Sequence, residues 1–339
     1  MNRRSLYFVA PRQVEVRDER VPSPAPGEVV VRSIVSAISA GTEMLFYRCQ
    51  LDGGTPLDVN IPSLNGSLKY PFKYGYATVG QIIDCGSGVS NEMEDCLVFT
   101  FHPHESHFST STDELIVIPE DIAARDAVML PSMETAVSLV MDGAPLLGED
   151  ILVIGQGVVG LLTTAILSRM PIGSLTALER YSLRRQLSEE IGCDLCLDVE
   201  PYEELFCSLP FSEGGADLTF ELSGNPNALD MAMKLTGFEG RIILGSWYGN
   251  KISHVRFGEV FHRRRLRIIG SQVSTISPSL TGRWDKARRL KLSWEMIRQL
   301  QPSQLISHQF NVEEAAEAYD MIDRGDERVV QILLTYGDI

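Results

Sequence analysis

Residues 151–160 read Ile-Leu-Val-Ile-Gly-Gln-Gly-Val-Val-Gly, a short apolar run that breaks into glycines at Gly155, Gly157 and Gly160. Ile151 to Ile154 is unbroken, rich in β-branched residues and too short for a helix, as expected of a central parallel strand buried on both faces. The period then changes: Val158, Val159, Leu161, Leu162, Ala165, Ile166 and Leu167 recur at helical spacing up to Arg169. The segment therefore reads strand, glycine turn, helix. Gly155 allows the tight turn, Gly157 lets the backbone approach a pyrophosphate, and Gly160 lets helix and strand pack closely. Gln156, Val158 and Val159 complete the turn and helix start, where free N–H groups and the helix dipole favour phosphate. The glycines alone are also compatible with a bare turn. The acid that the fingerprint requires is present, however, because a second apolar run, Leu175 to Leu178, ends at Glu179, 19 residues beyond Gly160. A carboxylate there can accept both ribose hydroxyls of an adenosine.

Strand and helix signals alternate around this segment: Leu175 to Glu179, Leu183 to Ile191, Leu195 to Asp198, Leu218 to Leu222, Ala228 to Leu235, Arg241 to Gly245 and Leu266 to Gly270. That alternation marks a doubly wound parallel sheet of the Rossmann kind. Ser223-Gly224 and Gly245 with Ser246 end their strands at the edge where such sheets bind ligands, and Asp217, Glu221 and Asn225 suit the same edge. Upstream, the first 120 residues alternate short strands with turn-rich stretches, and read as a mainly antiparallel, partly barrel-like β domain. Residues 50–72 lack any period and read as a long irregular loop. A helix is expected over Asp126 to Met141 and others over 283–300 and Glu313 to Arg324. A last strand, Val329 to Tyr336, is expected to rejoin the first domain. The fold class is thus α/β, with residues 1–120 a catalytic β domain completed by about 285–339, and residues 121–284 the dinucleotide-binding domain.

The 339 residues are 44% hydrophobic and 22% charged, ordinary for a globular protein. A net charge of −15 argues against a nucleic-acid partner. No run reaches membrane-spanning length, and Leu6 to Ala10 is too short for a signal-peptide core, so a cytoplasmic protein with no membrane partner is expected. The six cysteines form no disulfide framework. Cys193-Asp194-Leu195-Cys196 is formally C-x-x-C, but it lies where a helix passes into a strand, which favours small apolar packing over metal or redox chemistry. The one basic cluster, Arg263-Arg264-Arg265 with Arg267, reads as a solvated face or subunit edge ahead of an anion site.

Taken in order, these landmarks resemble the medium-chain dehydrogenase/reductase superfamily, the alcohol dehydrogenase and quinone reductase relatives. Pro26-Gly27-Glu28-Val29 resembles the family's P-G-E-V. Ser39-Ala40-Gly41-Thr42-Glu43 sits where members carry a stretch such as I-C-G-T-D, and Gly75-Tyr76-Ala77-Thr78-Val79-Gly80 where they carry G-H-E-x-x-G. The resemblance implies a GroES-like first domain, a nicotinamide cofactor and hydride transfer to or from an alcohol/carbonyl or activated double bond. It also implies a small-molecule substrate and a homodimer paired near Arg265 to Ser271. The zinc ligands of the family's catalytic site fall here on Ala40, Tyr76, Ala77 and approximately Pro131, so no zinc is expected there. The Ser-Ala-Gly-Thr-Glu version also resembles a zinc-independent branch that includes bacteriochlorophyllide dehydrogenase-like proteins.

Without zinc, side chains must polarise or protonate the substrate oxygen. By the resemblance, Thr42 matches the hydroxyl that bridges substrate and cofactor ribose, Tyr76 replaces a ligand facing the reactive carbon, and Thr135 meets the nicotinamide. Each of Thr42 and Tyr76 can equally be a structural residue. Glu134 is either an acid/base group or a helix-start carboxylate. His102-Pro103-His104-Glu105-Ser106-His107 admits three readings: acid/base or substrate binding, chiefly through His102 and His104, an ordinary polar loop, or a metal site. Glu179 would repel a 2′-phosphate, so NAD(H) is expected ahead of NADP(H), although Arg180 and Arg184 lie close by. Loops 50–72 and 246–262, with Phe46, Tyr47, Trp247 and Tyr248, suggest a pocket with an apolar component. Two rivals stand beside the oxidoreductase: a catalytically inactive nucleotide-binding regulator, and a metalloenzyme using the His102–His107 cluster.

Overall fold

A computed structural model describes residues 2–201, 208–211 and 214–337; Cys207 lies outside the described residues. The chain divides into two compact units, residues 1–131 with 301–339, and residues 132–300.

The first unit is built mainly of antiparallel strands. In chain order they are β1 (Asn2–Ala10), β2 (Gln13–Arg20), β3 (Glu28–Ala37), β4 (Phe72–Lys73), β5 (Thr78–Cys85), β6 (Leu97–Thr100), β7 (His107–Ser111) and β8 (Leu115–Val117). One small sheet has the order β2-β1-β4. In the larger sheet β3 is the spine. One edge of β3 pairs with β5 along most of its length, while on the other Glu28–Arg32 pairs with β7 and Val35–Ala37 with the C-terminal strand Gln331–Thr335. That last strand does rejoin the N-terminal unit, as the sequence suggests. β7 was not foreseen. Its letters, His-Phe-Ser-Thr-Ser, are mostly polar, yet Phe108 and Thr110 alternate inward and are buried. The short helix α1 (Glu43–Tyr47) is buried along its whole length. Phe46 and Tyr47 belong to an aromatic core with Phe8, Phe72, Tyr74 and Tyr319, not to a pocket wall as expected.

The expected helix over Asp126 to Met141 is two helices, α2 (Ala124–Ala127) and α3 (Leu130–Gly143), and Pro131 stands in the first turn of the second, where its missing N–H costs no helical bond. The second unit holds a six-stranded parallel sheet made of β9 (Asp150–Ile154), β10 (Ser174–Leu178), β11 (Leu195–Leu197), β12 (Ala216–Glu221), β13 (Thr236–Leu244) and β14 (Arg267–Gly270). Their order is β11-β10-β9-β12-β13-β14, which is the doubly wound arrangement. The chain winds outward from β9 first one way and then the other, so the switch point lies between β9 and β12, where Ile154 pairs with Glu221. Helices α4 (Val158–Leu167), α5 (Ser182–Ile191) and α6 (Ala228–Leu235) link the strands, and α7 (Lys286–Leu300) ends the unit. Ile151 to Ile154 are 0–1% exposed, the two-sided burial expected of the apolar run. Cys193 and Cys196 pack in the apolar cluster of this sheet, and burial raises both thiols, Cys196 to about 12. They are packing residues and poor nucleophiles.

Strands β15 (Ile306–Asn311) and β16 (Gln331–Thr335), with α8 (Ala315–Asp323), complete the first unit. Among the described residues no helix is long and apolar enough to cross a membrane.

Candidate active site

In the second unit the glycine turn follows β9 at the switch point. Gly155 has φ +93°, and a Cβ there would lie 2.7 Å from the Ser223 backbone. At Gly160 a Cβ would meet the Gly155 carbonyl oxygen at 2.0 Å. These two glycines are needed by the protein's own packing. Gly157 is different: among the described residues an added Cβ would meet only Arg184 Nη1, at 4.0 Å. The space over Gly157 is open, beside a helix start whose first N–H groups have no partner within the helix. That is the cradle a pyrophosphate requires, so the residues present fit a dinucleotide.

Glu179 is 5% exposed and ties the turn to the neighbouring strand. Its Oε2 accepts from the Gln156 amide at 2.7 Å and its Oε1 from the Tyr181 amide at 3.0 Å. Each oxygen keeps a lone pair for a further donor. Gln156 itself points inward, its carbonyl accepting from the Thr164 and Ser188 hydroxyls at 3.1 and 3.2 Å, which links α4 to α5. Val158 and Val159 open α4, half-buried. The guanidinium groups of Arg180 and Arg184 lie over the Tyr181 ring, 4.4 and 4.9 Å from its centre.

At the end of β12, Glu221 is fully buried and organises the next loop. Its Oε1 accepts from the Ser223 amide at 2.9 Å and from the Ser223 hydroxyl, and its Oε2 accepts from the Tyr248 hydroxyl at 2.6 Å. The Gly224 amide donates to Ser246 Oγ at 2.9 Å, and the Gly245 amide to the Glu221 carbonyl at 3.1 Å. The expected strand-end residues are thus gathered at one edge with the glycine turn. Asp217 is not: it stands at the start of β12 and accepts from the Asp150 amide, so it belongs to the opposite end of the sheet. Glu134, near the start of α3, accepts from Arg289 of α7 at 3.2 Å (Nε) and 2.8 Å (Nη2), and Arg289 is 3% exposed. Thr135 follows it, half-buried.

In the first unit the Ser39–Glu43 turn and the Gly75–Ala77 segment meet. The half-buried Tyr76 hydroxyl donates to Ser39 Oγ at 2.5 Å and also bonds the Thr42 hydroxyl. Burial raises the phenol, outweighing these hydroxyl contacts, so it stays protonated at neutral pH. Ala40 is exposed and Ala77 is buried. Two alanines, a proline and a protonated phenol are not a donor set for zinc. Among the described residues no three His, Cys, Asp or Glu side chains gather as a metal site.

The stretch 102–106 is buried throughout, which sets aside the ordinary polar loop. His102 stacks on Phe108 with ring centres 3.7 Å apart, and its Nδ1 bonds the Pro103 carbonyl. Burial pulls its imidazole down to about 4, so the ring is neutral at physiological pH. His104 has other partners: Nε2 lies 3.0 Å from Glu43 Oε2, and Nδ1 lies 2.7 Å from Ser36 Oγ. His107 bonds Ser106 Oγ at 3.2 Å. Sequence reading missed Ser36, Ser39 and Glu43 as partners. The signal available was an acid in the turn motif, because Glu43 and Ser36 reach His104 across 61 and 68 residues and Ser39 reaches Tyr76 across 37.

The architecture is an antiparallel β unit and a second unit with a doubly wound sheet of the Rossmann kind, the class of fold that binds dinucleotides. No family model matches the sequence. The chain is 24% identical to L-threonine 3-dehydrogenase of Pyrococcus abyssi, over 94% of this chain and 95% of the relative. It is 23% identical to D-guloside 3-dehydrogenase of Escherichia coli K12, over 98% of this chain and 100% of the relative. Among solved structures, the alcohol dehydrogenase RspB of Escherichia coli CFT073 in complex with NADH matches with a TM-score of 0.78 at 20% identity, over 99% of both chains. These comparisons support placing the chain in the medium-chain dehydrogenase/reductase superfamily, among zinc-type alcohol dehydrogenase-like oxidoreductases.

Proposed function

We propose that the protein is an oxidoreductase that uses NAD(H) in preference to NADP(H) on an alcohol/carbonyl substrate, with no zinc at the family's usual site. The observation that carries the reading is the turn at 155–160, closed by packing at Gly155 and Gly160 and open at Gly157, with the Glu179 carboxylate fixed against it. The named relatives act on L-threonine and a D-guloside, both hydroxylated compounds, which supports an alcohol as substrate. A bound nicotinamide supplies or accepts the hydride. This chain's part is to hold the pyrophosphate over Gly157 and to bond the ribose hydroxyls through Glu179, where a 2′-phosphate would be repelled. Tyr76, Ser39 and Thr42 form a cluster of hydroxyls in place of metal ligands. In carbonyl reduction the Tyr76 phenol, turned from Ser39 toward the substrate, gives its proton to the carbonyl oxygen as the hydride reaches carbon and is reprotonated from solvent. In alcohol oxidation it must first release that proton to solvent through the Ser39 and Thr42 hydroxyls and then takes the alcohol's proton as phenolate.

Titration with NADH and NADPH, followed by the fluorescence of Trp247, Trp284 and Trp294, tests the cofactor, and elemental analysis tests the metal. Tighter NADH binding, no stoichiometric zinc and NAD-dependent oxidation within an alcohol panel are expected. Failure to bind either nucleotide would remove the reading. Binding with no turnover across alcohols and carbonyls would favour a nucleotide-binding regulator, and activity lost to a chelator would favour the metalloenzyme.

A further inference from the structure

The first unit buries a carboxylate–imidazole pair that the proposed chemistry does not use. Glu43 and His104 are each 0% exposed and lie 3.0 Å apart. Three donors converge on the carboxylate: the Ser39 amide on Oε1 at 2.7 Å, and His104 Nε2 and the Tyr319 hydroxyl on Oε2. A carboxylate can only accept, so the network assigns a proton to His104 Nε2. On the other side of the ring, Nδ1 meets Ser36 Oγ at 2.7 Å, and Ser36 Oγ meets the Tyr336 hydroxyl at 2.6 Å. With Tyr336 donating to Ser36 and Ser36 to Nδ1, every member is satisfied.

A paired, hydrogen-bonded group this deep is no more stabilising than apolar side chains of the same volume. The adjoining core of Phe8, Phe46, Tyr47 and Tyr74 shows that apolar filling is available here. What the polar version adds is one fixed arrangement, and its two ends reach the same place. Glu43 holds the Ser39 amide, and the Ser39 hydroxyl receives the Tyr76 proton. His104 is seated on Gly75, the residue before Tyr76: Gly75 has φ +117°, and a Cβ there would lie 2.7 Å from both Cδ2 and Nε2 of the ring. The turn into Tyr76 is therefore a glycine in a left-handed conformation with the imidazole against its bare face.

We propose that Glu43 and His104 are positioning residues, a buried strut that sets the Ser39 hydroxyl and the Tyr76 phenol relative to each other, Glu43 through the Ser39 amide and His104 through the Gly75 backbone. The assignment of a chemical purpose to that strut rests on the reading of Tyr76 as proton donor. Neither strut residue touches substrate.

The test is a double-mutant cycle with a second readout. His104→Gln, Glu43→Gln, Tyr76→Phe and the pairwise combinations with Tyr76→Phe are compared for kcat, KM and NADH binding, with thermal melts to exclude unfolded variants. Each strut variant is expected to lower kcat about tenfold or more, with KM and NADH binding within about twofold, and to have little further effect in the Tyr76→Phe background. Equal losses in both backgrounds overturn the proposal. Hydrogen exchange of the peptide covering residues 38–44 is the readout that needs no turnover. Exchange about tenfold faster in either folded strut variant, with β5 unchanged, supports the strut, and unchanged exchange overturns it. An inactive wild-type protein would remove the role of Tyr76 alone, and the exchange result would still decide whether the strut exists. If His104→Gln does not fold, Glu43→Gln carries the comparison, because its NH2 stands against the His104 and Tyr319 donors and cannot hold the carboxylate's place against the Ser39 amide.

Discussion

The amide nitrogen of Gln156 lies 2.7 Å from Oε2 of Glu179, so the acid that closes the fingerprint is bonded to the glycine turn itself. On the function proposed above, one carboxylate would have two tasks: it fixes the glycine turn, and its remaining lone pairs would take the ribose hydroxyls.

Glu179→Gln separates these tasks, because the amide keeps one acceptor and loses the charge. Binding of NADH is expected to weaken about tenfold, in line with losing a charge-assisted hydrogen bond of about 1.5–3 kcal/mol. Binding of NADPH, with Arg180 and Arg184 nearby, should weaken less. Fluorescence titration of both nucleotides measures the ratio, and equal weakening of the two would show that Glu179 does not discriminate at the ribose.

The three glycines should respond differently to the same substitution. Gly160→Ala drives a Cβ into the Gly155 carbonyl, and Gly155→Ala adds a left-handed backbone to a clash with Ser223. Each is expected to cost ~1–3 kcal/mol or more in urea unfolding. Gly157→Ala adds its methyl to open space at φ −68°, so the melt should hardly move. On the function proposed above the methyl would stand where the pyrophosphate approaches, and NADH affinity should drop at least about tenfold. A Gly157→Ala protein that binds NADH as tightly as wild type would mean the cofactor does not lie over this turn.

The strand, glycine turn and helix at 151–167 were legible because period, composition and turn chemistry agree there and the contacts are local. β7 was not, because its inward residues Phe108 and Thr110 are separated by polar letters that read as loop. Glu134 illustrates a second limit. Its position at a helix start is visible in the sequence, but Arg289 is 155 residues away, and nothing local announces the pair. The buried histidines were visible as an unusual polar stretch, yet the choice among acid/base, metal and structural roles depends on Glu43, Ser36 and Phe108, brought in by the sheet and by α1. Asp217 was misplaced because strand polarity, which decides the ligand-binding end, is a property of the assembled sheet.

Arg289 donates to Glu134 from Nε and Nη2 and to the Thr275 carbonyl from Nη1 at 3.1 Å, almost wholly buried. Removing one partner strands the other, so Arg289→Met should cost about 3–5 kcal/mol in urea unfolding. Combining it with Glu134→Met should recover part of that loss. Glu134→Gln, which keeps an acceptor, should cost less and leave turnover within a few-fold. Turnover abolished by Glu134→Gln in a stably folded protein would restore Glu134 as an acid/base group.

Two groups of the first unit, the half-buried Glu19 and the buried His102, set distinct acid windows. Burial alone would raise the Glu19 carboxyl, but the Tyr7 hydroxyl, Lys73 ammonium, Ser5 hydroxyl and Arg3 guanidinium outweigh it and hold it at about 2, against an ordinary 4.5. A carboxyl lowered on folding contributes stability that is complete above its unfolded value and is lost as pH falls from 4.5 through 2. His102 acts in a higher range. Burial lowers its imidazole from 6.5 to about 4 despite the neighbouring Glu105, so the unfolded chain takes up a proton that the native ring refuses. Stability should fall between those two values and then level off. Urea unfolding of wild type, Glu19→Gln and His102→Phe from pH 8 to pH 2.5 resolves them. The wild-type advantage over Glu19→Gln should be constant down to about pH 4.5 and then shrink, whereas His102→Phe should lack the decline that wild type shows from about pH 6.5. A Glu19→Gln curve parallel to wild type through pH 3 would show that Tyr7 and Lys73 do not favour the ionised carboxylate.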